Sequence, residues 1–83
     1  MIVKITKKHI SAGIPLACTS DPLAIALREL NYKNVTIGLD TVNCADSDFK
    51  ELDFIIEDSG VEWLRRFDLG EKVKPTEIEL LEA

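Results

Sequence analysis

Three side chains of this 83-residue sequence carry the groups most suited to nucleophilic or metal chemistry: His9, Cys18 and Cys44. A thiol beside an imidazole makes an activated nucleophile, and the same groups are soft ligands for zinc. Zinc takes about four ligands, usually as pairs at short spacing. Here there are three, and none is paired with another. His9, the only histidine, follows Lys7 and Lys8, so it is expected on an exposed basic turn away from either thiol. Neither a Cys-His enzyme nor a metal centre is assigned.

Asp46 and Asp48 open like a calcium loop, but Lys50 and Glu51 stand where a further oxygen ligand and the obligatory glycine belong. A solvated acidic turn is the simpler reading. The remaining carboxylates are abundant, and number alone singles out no acid-base pair. Gly13, Gly38, Gly60 and Gly70 are widely separated and build no phosphate-cradling loop, which disfavours nucleotide-dependent catalysis. Lys4, Lys7 and Lys8 have no aromatic neighbour and Lys33 has only Tyr32, too little for a platform on which bases stack. No catalytic residue, cofactor or metal ligand follows from these residues, and the chain reads as a non-enzyme.

The formal charge is −5, and it is unevenly placed. Residues 1–39 carry five Lys or Arg against two acids, and residues 40–83 carry five against thirteen. An acidic half repels nucleic acid and attracts basic surfaces, so a direct nucleic-acid reader is not expected. The acids Asp46, Asp48, Glu51, Asp53, Glu57 and Asp58 are the candidate contact with a basic groove on a partner, where they would mimic the charge of nucleic acid. No apolar run approaches the length of a membrane span, and the two cysteines are far fewer than a small disulfide-stapled fold uses. The expected setting is a reducing cytosol, with both thiols free and no signal peptide.

The elements that would position these residues are legible from periodicity. Ile2-Val3-Lys4-Ile5 is of strand type, and Thr6 caps a short helix over Lys7–Ala12 that Gly13 and Pro15 end. Ser20 is the expected cap of a helix beginning near Asp21-Pro22, with Leu23, Ala26, Leu27 and Leu30 on its buried face. Ile25 lies on the opposite side, so this helix is apolar around most of its circumference; either it is sandwiched in the core or Ile25 is the centre of a partner contact. Val35, Ile37 and Leu39 alternate along a second strand, Thr41–Cys44 suggests a short one, and Leu52–Ile56 reads as a further strand with a helix over Asp48–Ile55 as its rival. Ser59 and Glu62 form a capping-box pattern for a last helix from Gly60 to Leu69, burying Trp63, Leu64 and Phe67, with Gly70 as its left-handed stop. Thr76, Ile78 and Leu80 alternate in a closing strand, and residues 82–83 are expected to form a loose tail. The fold class is α+β: one small domain, with a mixed or antiparallel sheet of three to five strands and two main helices packed on one face.

The run Cys18-Thr19-Ser20-Asp21-Pro22-Leu23-Ala24-Ile25-Ala26-Leu27, followed by Trp63-Leu64-Arg65-Arg66-Phe67-Asp68-Leu69-Gly70-Glu71-Lys72-Val73-Lys74-Pro75, resembles a group of small bacteriophage and prophage proteins. In that group a cysteine and a proline precede an Ala/Leu-rich helix, and the chain closes on W-L-x-x-F-D-x-G-x-x-V-x-P and an alternating strand. This chain departs from the pattern at Asp21, where a cysteine is usual, and at Ile78, where an aromatic residue is usual. The resemblance implies a phage setting and brings no established activity. With the missing catalytic set, it leads to the expectation of an accessory protein that occupies a host protein's surface, as an anti-defence or anti-CRISPR inhibitor would. The competing expectations are a nucleotide-sequestering protein, with Lys7, Lys8, Arg28 or Lys33 on phosphate, and a homo-oligomer.

Overall fold

Period-two alternation and three capped helical runs turn into eight elements. The structure, a computed structural model, describes residues 1–83. In chain order these are β1 (Ile2–Ile5), α1 (Lys7–Ala12), α2 (Pro22–Glu29), β2 (Lys33–Ile37), β3 (Thr41–Ala45), β4 (Glu51–Ile56), α3 (Asp58–Asp68) and β5 (Thr76–Glu82). The strands form one antiparallel sheet in the order β1-β5-β4-β3-β2. This is the α+β domain that the periodicity implied, and β4 is a strand, its helical rival being absent.

Each strand buries alternate residues on the face that carries the helices. Val3 and Ile5, Val35 and Ile37, Val42 and Cys44, Phe54 and Ile56, and Ile78 and Leu80 supply that face. Fully burying an aliphatic side chain of this size contributes about 1.5–3 kcal/mol, so these strand residues, with Leu23 and Leu27, are the main source of stability. Helix α2 packs against both β1 and β2, which are the two edges of the sheet. The sheet therefore curls around it, and Pro22, Leu23, Ala24, Ala26 and Leu27 are all buried. This accounts for the apolar residues Pro22–Ala24, Ala26 and Leu27, whereas Ile25 is only half-buried and lies outside the core cluster.

Helix ends differ from the sequence reading in instructive ways. The cap of α2 is Asp21 and not Ser20: its carboxylate accepts the Ala24 amide at 2.7 Å, and Pro22 takes the first helical position, where its missing donor costs nothing. Helix α3 begins at Asp58, two residues before the expected Gly60, because Glu57 takes the cap position without any side-chain cap bond. Ser59 is thus already helical, and Glu62 turns outward to Arg65 and Arg66 instead of reaching back. Gly70, at φ +81°, makes the expected left-handed stop. Leu30, expected on the buried face of α2, lies at the C-cap and is exposed.

Two further expectations are corrected. Residues 82–83 are not loose, since Glu82 pairs with Phe54 and the Ala83 amide donates to the Asp53 carbonyl at 3.2 Å. His9 is buried, not exposed. Its Nδ1 accepts the Thr6 amide at 3.0 Å, which leaves the proton on Nε2, and Nε2 lies 2.6 Å from Glu29 Oε1. The histidine therefore completes the cap of α1 and pins α1 to the end of α2, a structural task that its basic neighbours concealed.

Candidate apolar cleft

At one end of the sheet the chain leaves a cleft of about 540 Å³. Its walls are the loop Leu16–Cys18, the end of β2 and the following Gly38-Leu39, and the face of α3 that carries Val61 and Leu64, with Leu69 at its C-cap. Three leucines on the walls are left to solvent: Leu16 is 82% exposed, Leu39 93% and Leu69 63%. Single exposed leucines are ordinary, whereas several around one concavity make an apolar surface of unusual extent for so small a domain.

The loop wall is fixed by hydrogen bonds. The Ile14 amide donates to the Ser20 carbonyl at 2.9 Å, the Ile37 amide to the Cys18 carbonyl at 2.8 Å, and the Leu16 amide to Asp68 Oδ1 at 3.0 Å. Arg28 adds a guanidinium bond to the Thr19 carbonyl. Leu16 itself is held at φ +65°, in the left-handed region that a leucine rarely adopts. A second wall is bent away from the sheet where the Gly38 amide donates to the Thr41 carbonyl at 2.7 Å. That turn ends β2 at Ile37 and throws Leu39 outward, so Leu39 does not join Val35 and Ile37 on the core face as its alternation suggested.

Asp21 lies in the wall of the cleft as well as at the cap of α2. Burial pushes its carboxyl up to about 6; the Ala24 amide pulls against that, the negative charge of Asp68 adds to it, and Arg28 opposes it least. Arg65 also borders the cleft, but its guanidinium is committed to Glu62, with Nε 2.9 Å from Oε2 and Nη2 2.7 Å from Oε1. The hydrogen bond from Arg65 and the charge of both arginines hold the Glu62 carboxyl down at about 2. The charge left without a close partner within the cleft is that of two neighbouring carboxylates.

The six acids singled out from the sequence fall into two places. Asp46 and Asp48 lie in the β3–β4 turn, where Asp46 Oδ1 accepts the amides of Asp48 and Lys50 at 2.9 and 3.0 Å. Glu51 and Asp53 follow on the open face of β4, and Asn43 Nδ2 donates to Asp53 Oδ1 at 2.7 Å. Glu57 and Asp58 lie at the other end of β4, about 20 Å along the strand from Glu51 at the usual rise per residue. That second end is the end of the cleft, because the Ile56 amide donates to the Asp40 carbonyl beside Gly38-Leu39. Ile25 is half-buried on α2 and lines no part of the cleft. Cys18 is exposed in the loop wall and Cys44 is buried in β3; no three His, Cys, Asp or Glu side chains converge to hold a metal ion.

Sequence reasoning missed the three rim leucines. Each had a signal, since Leu16 follows Pro15, Leu39 follows Gly38 and Leu69 precedes Gly70. That adjacency does not by itself single them out, since Ile37 precedes Gly38 and Leu23 follows Pro22 and both are buried. Comparison with known proteins returned no matching family, no matching curated protein and no matching solved structure.

Proposed function

We propose that this chain is a non-enzymatic binding protein that acts by seating part of a host protein in the leucine-rimmed cleft, in the manner expected of a small phage accessory or anti-defence protein. The observation that carries this reading is the exposure of Leu16, Leu39 and Leu69 around one concavity whose loop wall is held in a strained backbone conformation. Holding leucines in water around a rigid rim costs solvation free energy that contact with an apolar surface recovers. Backbone strain of this kind persists where the surrounding structure over-determines it, and it clusters at functional positions.

The test uses substitutions that the core does not feel. Leu39→Asp and Leu69→Asp alter side chains already largely in solvent, so the fold is retained while the rim becomes charged and hydrophilic. Tagged wild-type chain is expected to retain a host protein at defined stoichiometry from a host lysate, and both variants are expected to lose it. Equal retention by the variants would show that the cleft is not the contact, and a clean blank for the wild type would overturn the binding reading itself.

A further inference from the structure

The charge inside the cleft says more about its occupant than its apolar walls do. Asp21 and Asp68 border it together, and the charge of Asp68 is felt at Asp21. Asp68 spends Oδ1 on the Leu16 amide and keeps Oδ2 outside that bond, while the more deeply buried Asp21 accepts the Ala24 amide through Oδ1 and is also drawn on by the Leu23 amide. The bordering cation that could neutralise them, Arg65, is held in a two-pronged bond by Glu62, and Arg28 donates to the Thr19 carbonyl. Outside the cleft, Asp40, Glu57 and Asp58 lie at the same end of the sheet. The cleft is apolar on its walls, anionic at one side and bordered by further acids.

We infer that the cleft receives a basic segment of the partner protein, an Arg or Lys flanked by large apolar residues, whose cationic head lies between Asp21 and Asp68 while its stem and neighbours pack against Leu16, Leu39, Leu64 and Leu69. Long basic side chains suit such a site because their methylene stems cover apolar surface while the charged head stays at a polar edge. Arginine suits it best, since its planar fork can bond two carboxylates at once and cannot lose its charge. The same charge disfavours a second copy of this chain as occupant, because pairing would bring Asp21, Asp68 and the acids beside them against their own copies.

This inference rests on the cleft being the binding site, and its test separates the two claims. Three peptides serve as probes: acetyl-Leu-Arg-Leu-amide, the same peptide with neutral citrulline in place of arginine, and acetyl-Gly-Arg-Gly-amide. Each is titrated into isotope-labelled full chain near neutral pH, following backbone amide resonances. The first is expected to move the amides of Leu16, Gly38, Leu39 and Leu69 saturably, and the other two to bind at least about tenfold more weakly. The double substitution Asp21→Asn with Asp68→Asn is expected to remove that preference for arginine over citrulline; Asn at position 21 can still cap α2, and Asp68→Asn alone, expected to reduce it, serves if the double variant does not fold. Equal binding of the arginine and citrulline peptides, a preference that survives removal of the carboxylates, or no saturable shift at the cleft would each overturn the inference. Should these peptides fail while Leu39→Asp still abolishes capture of the host protein, the cleft is a docking site for a segment of different chemistry, and the function proposed above stands without this refinement.

Discussion

The Leu16 amide donates to Asp68 Oδ1 at 3.0 Å, joining residues 52 positions apart and tying a left-handed loop residue to the last turn of α3. The bond has consequences on both sides. It holds Leu16 with its side chain in water at one edge of the cleft, and it keeps the Asp68 charge near the buried Asp21 carboxyl, whose proton affinity that charge raises. Loop, helix and buried acid are thus parts of one arrangement.

Replacing Leu16 with glycine is expected to separate stability from binding. A leucine in the left-handed region carries a cost of about 1–2 kcal/mol that glycine does not, against a larger loss of backbone freedom on folding. Because the side chain is largely in solvent, little burial is lost. Urea unfolding should show Leu16→Gly unchanged or more stable by up to about 1 kcal/mol, with partner binding weakened. A loss of stability well beyond that would mean that the leucine side chain supports the fold.

Asp21 should give the chain an unusual pH response. Its carboxyl is raised from 3.8 to about 6 in the folded state, so the folded chain holds that proton more tightly than the unfolded chain does. Stability from this group is therefore fully present below about pH 4 and is lost as pH rises through about 6, an effect on the order of 3 kcal/mol at about 1.4 kcal/mol per unit. Glu29 has the opposite sign: the hydrogen bond from His9 holds its carboxyl below the ordinary value of 4.5, so its contribution is present above that value and lost on acidification. Comparing wild type with Asp21→Asn isolates the first effect. The variant is expected to match the wild type below pH 4 and to be the more stable of the two above pH 6, and a constant difference across that range would contradict the assignment.

Gly60 marks where α3 approaches the sheet most closely. A Cβ placed there would lie 2.7 Å from Ile78 Cγ2 and 2.9 Å from Ile56 Cγ2, both on buried side chains. Alanine is the better helix former by about 1 kcal/mol, yet overpacking a filled core costs about 1–3 kcal/mol. Gly60→Ala is expected to lower the urea midpoint, whereas a rise would show that α3 can shift outward without loss.

Much of the fold was legible because burial follows short-range periodicity. Ile2–Ile5, Leu52–Ile56 and Thr76–Leu80 each alternate cleanly, and the structure pairs them through neighbouring strands of one sheet. Misreadings arose where a residue's partner is distant in sequence. His9 looked exposed because its neighbours are lysines, while the group that decides its placement, Glu29, is twenty residues away. Leu39 looked buried because it continued an alternation, and only the bond from Gly38 to Thr41 turns it outward. Asp21 looked like the first residue of α2 behind a Ser20 cap, whereas it is itself the cap; that it also borders a cleft beside Asp68 depends on how α3 docks. The cleft was unreadable as a unit because its walls come from three separated segments.

The central claim, that the rim of this cleft meets a host protein, is most directly tested by photo-crosslinking in the host cell. A benzophenone amino acid is placed at Leu39 on the rim or at Ser47 in the β3–β4 turn, both exposed positions near opposite ends of β3. The account predicts one discrete adduct, with a single host protein, from position 39 and none from position 47. Adducts of equal strength from both positions, or an adduct from position 47 alone, would contradict it.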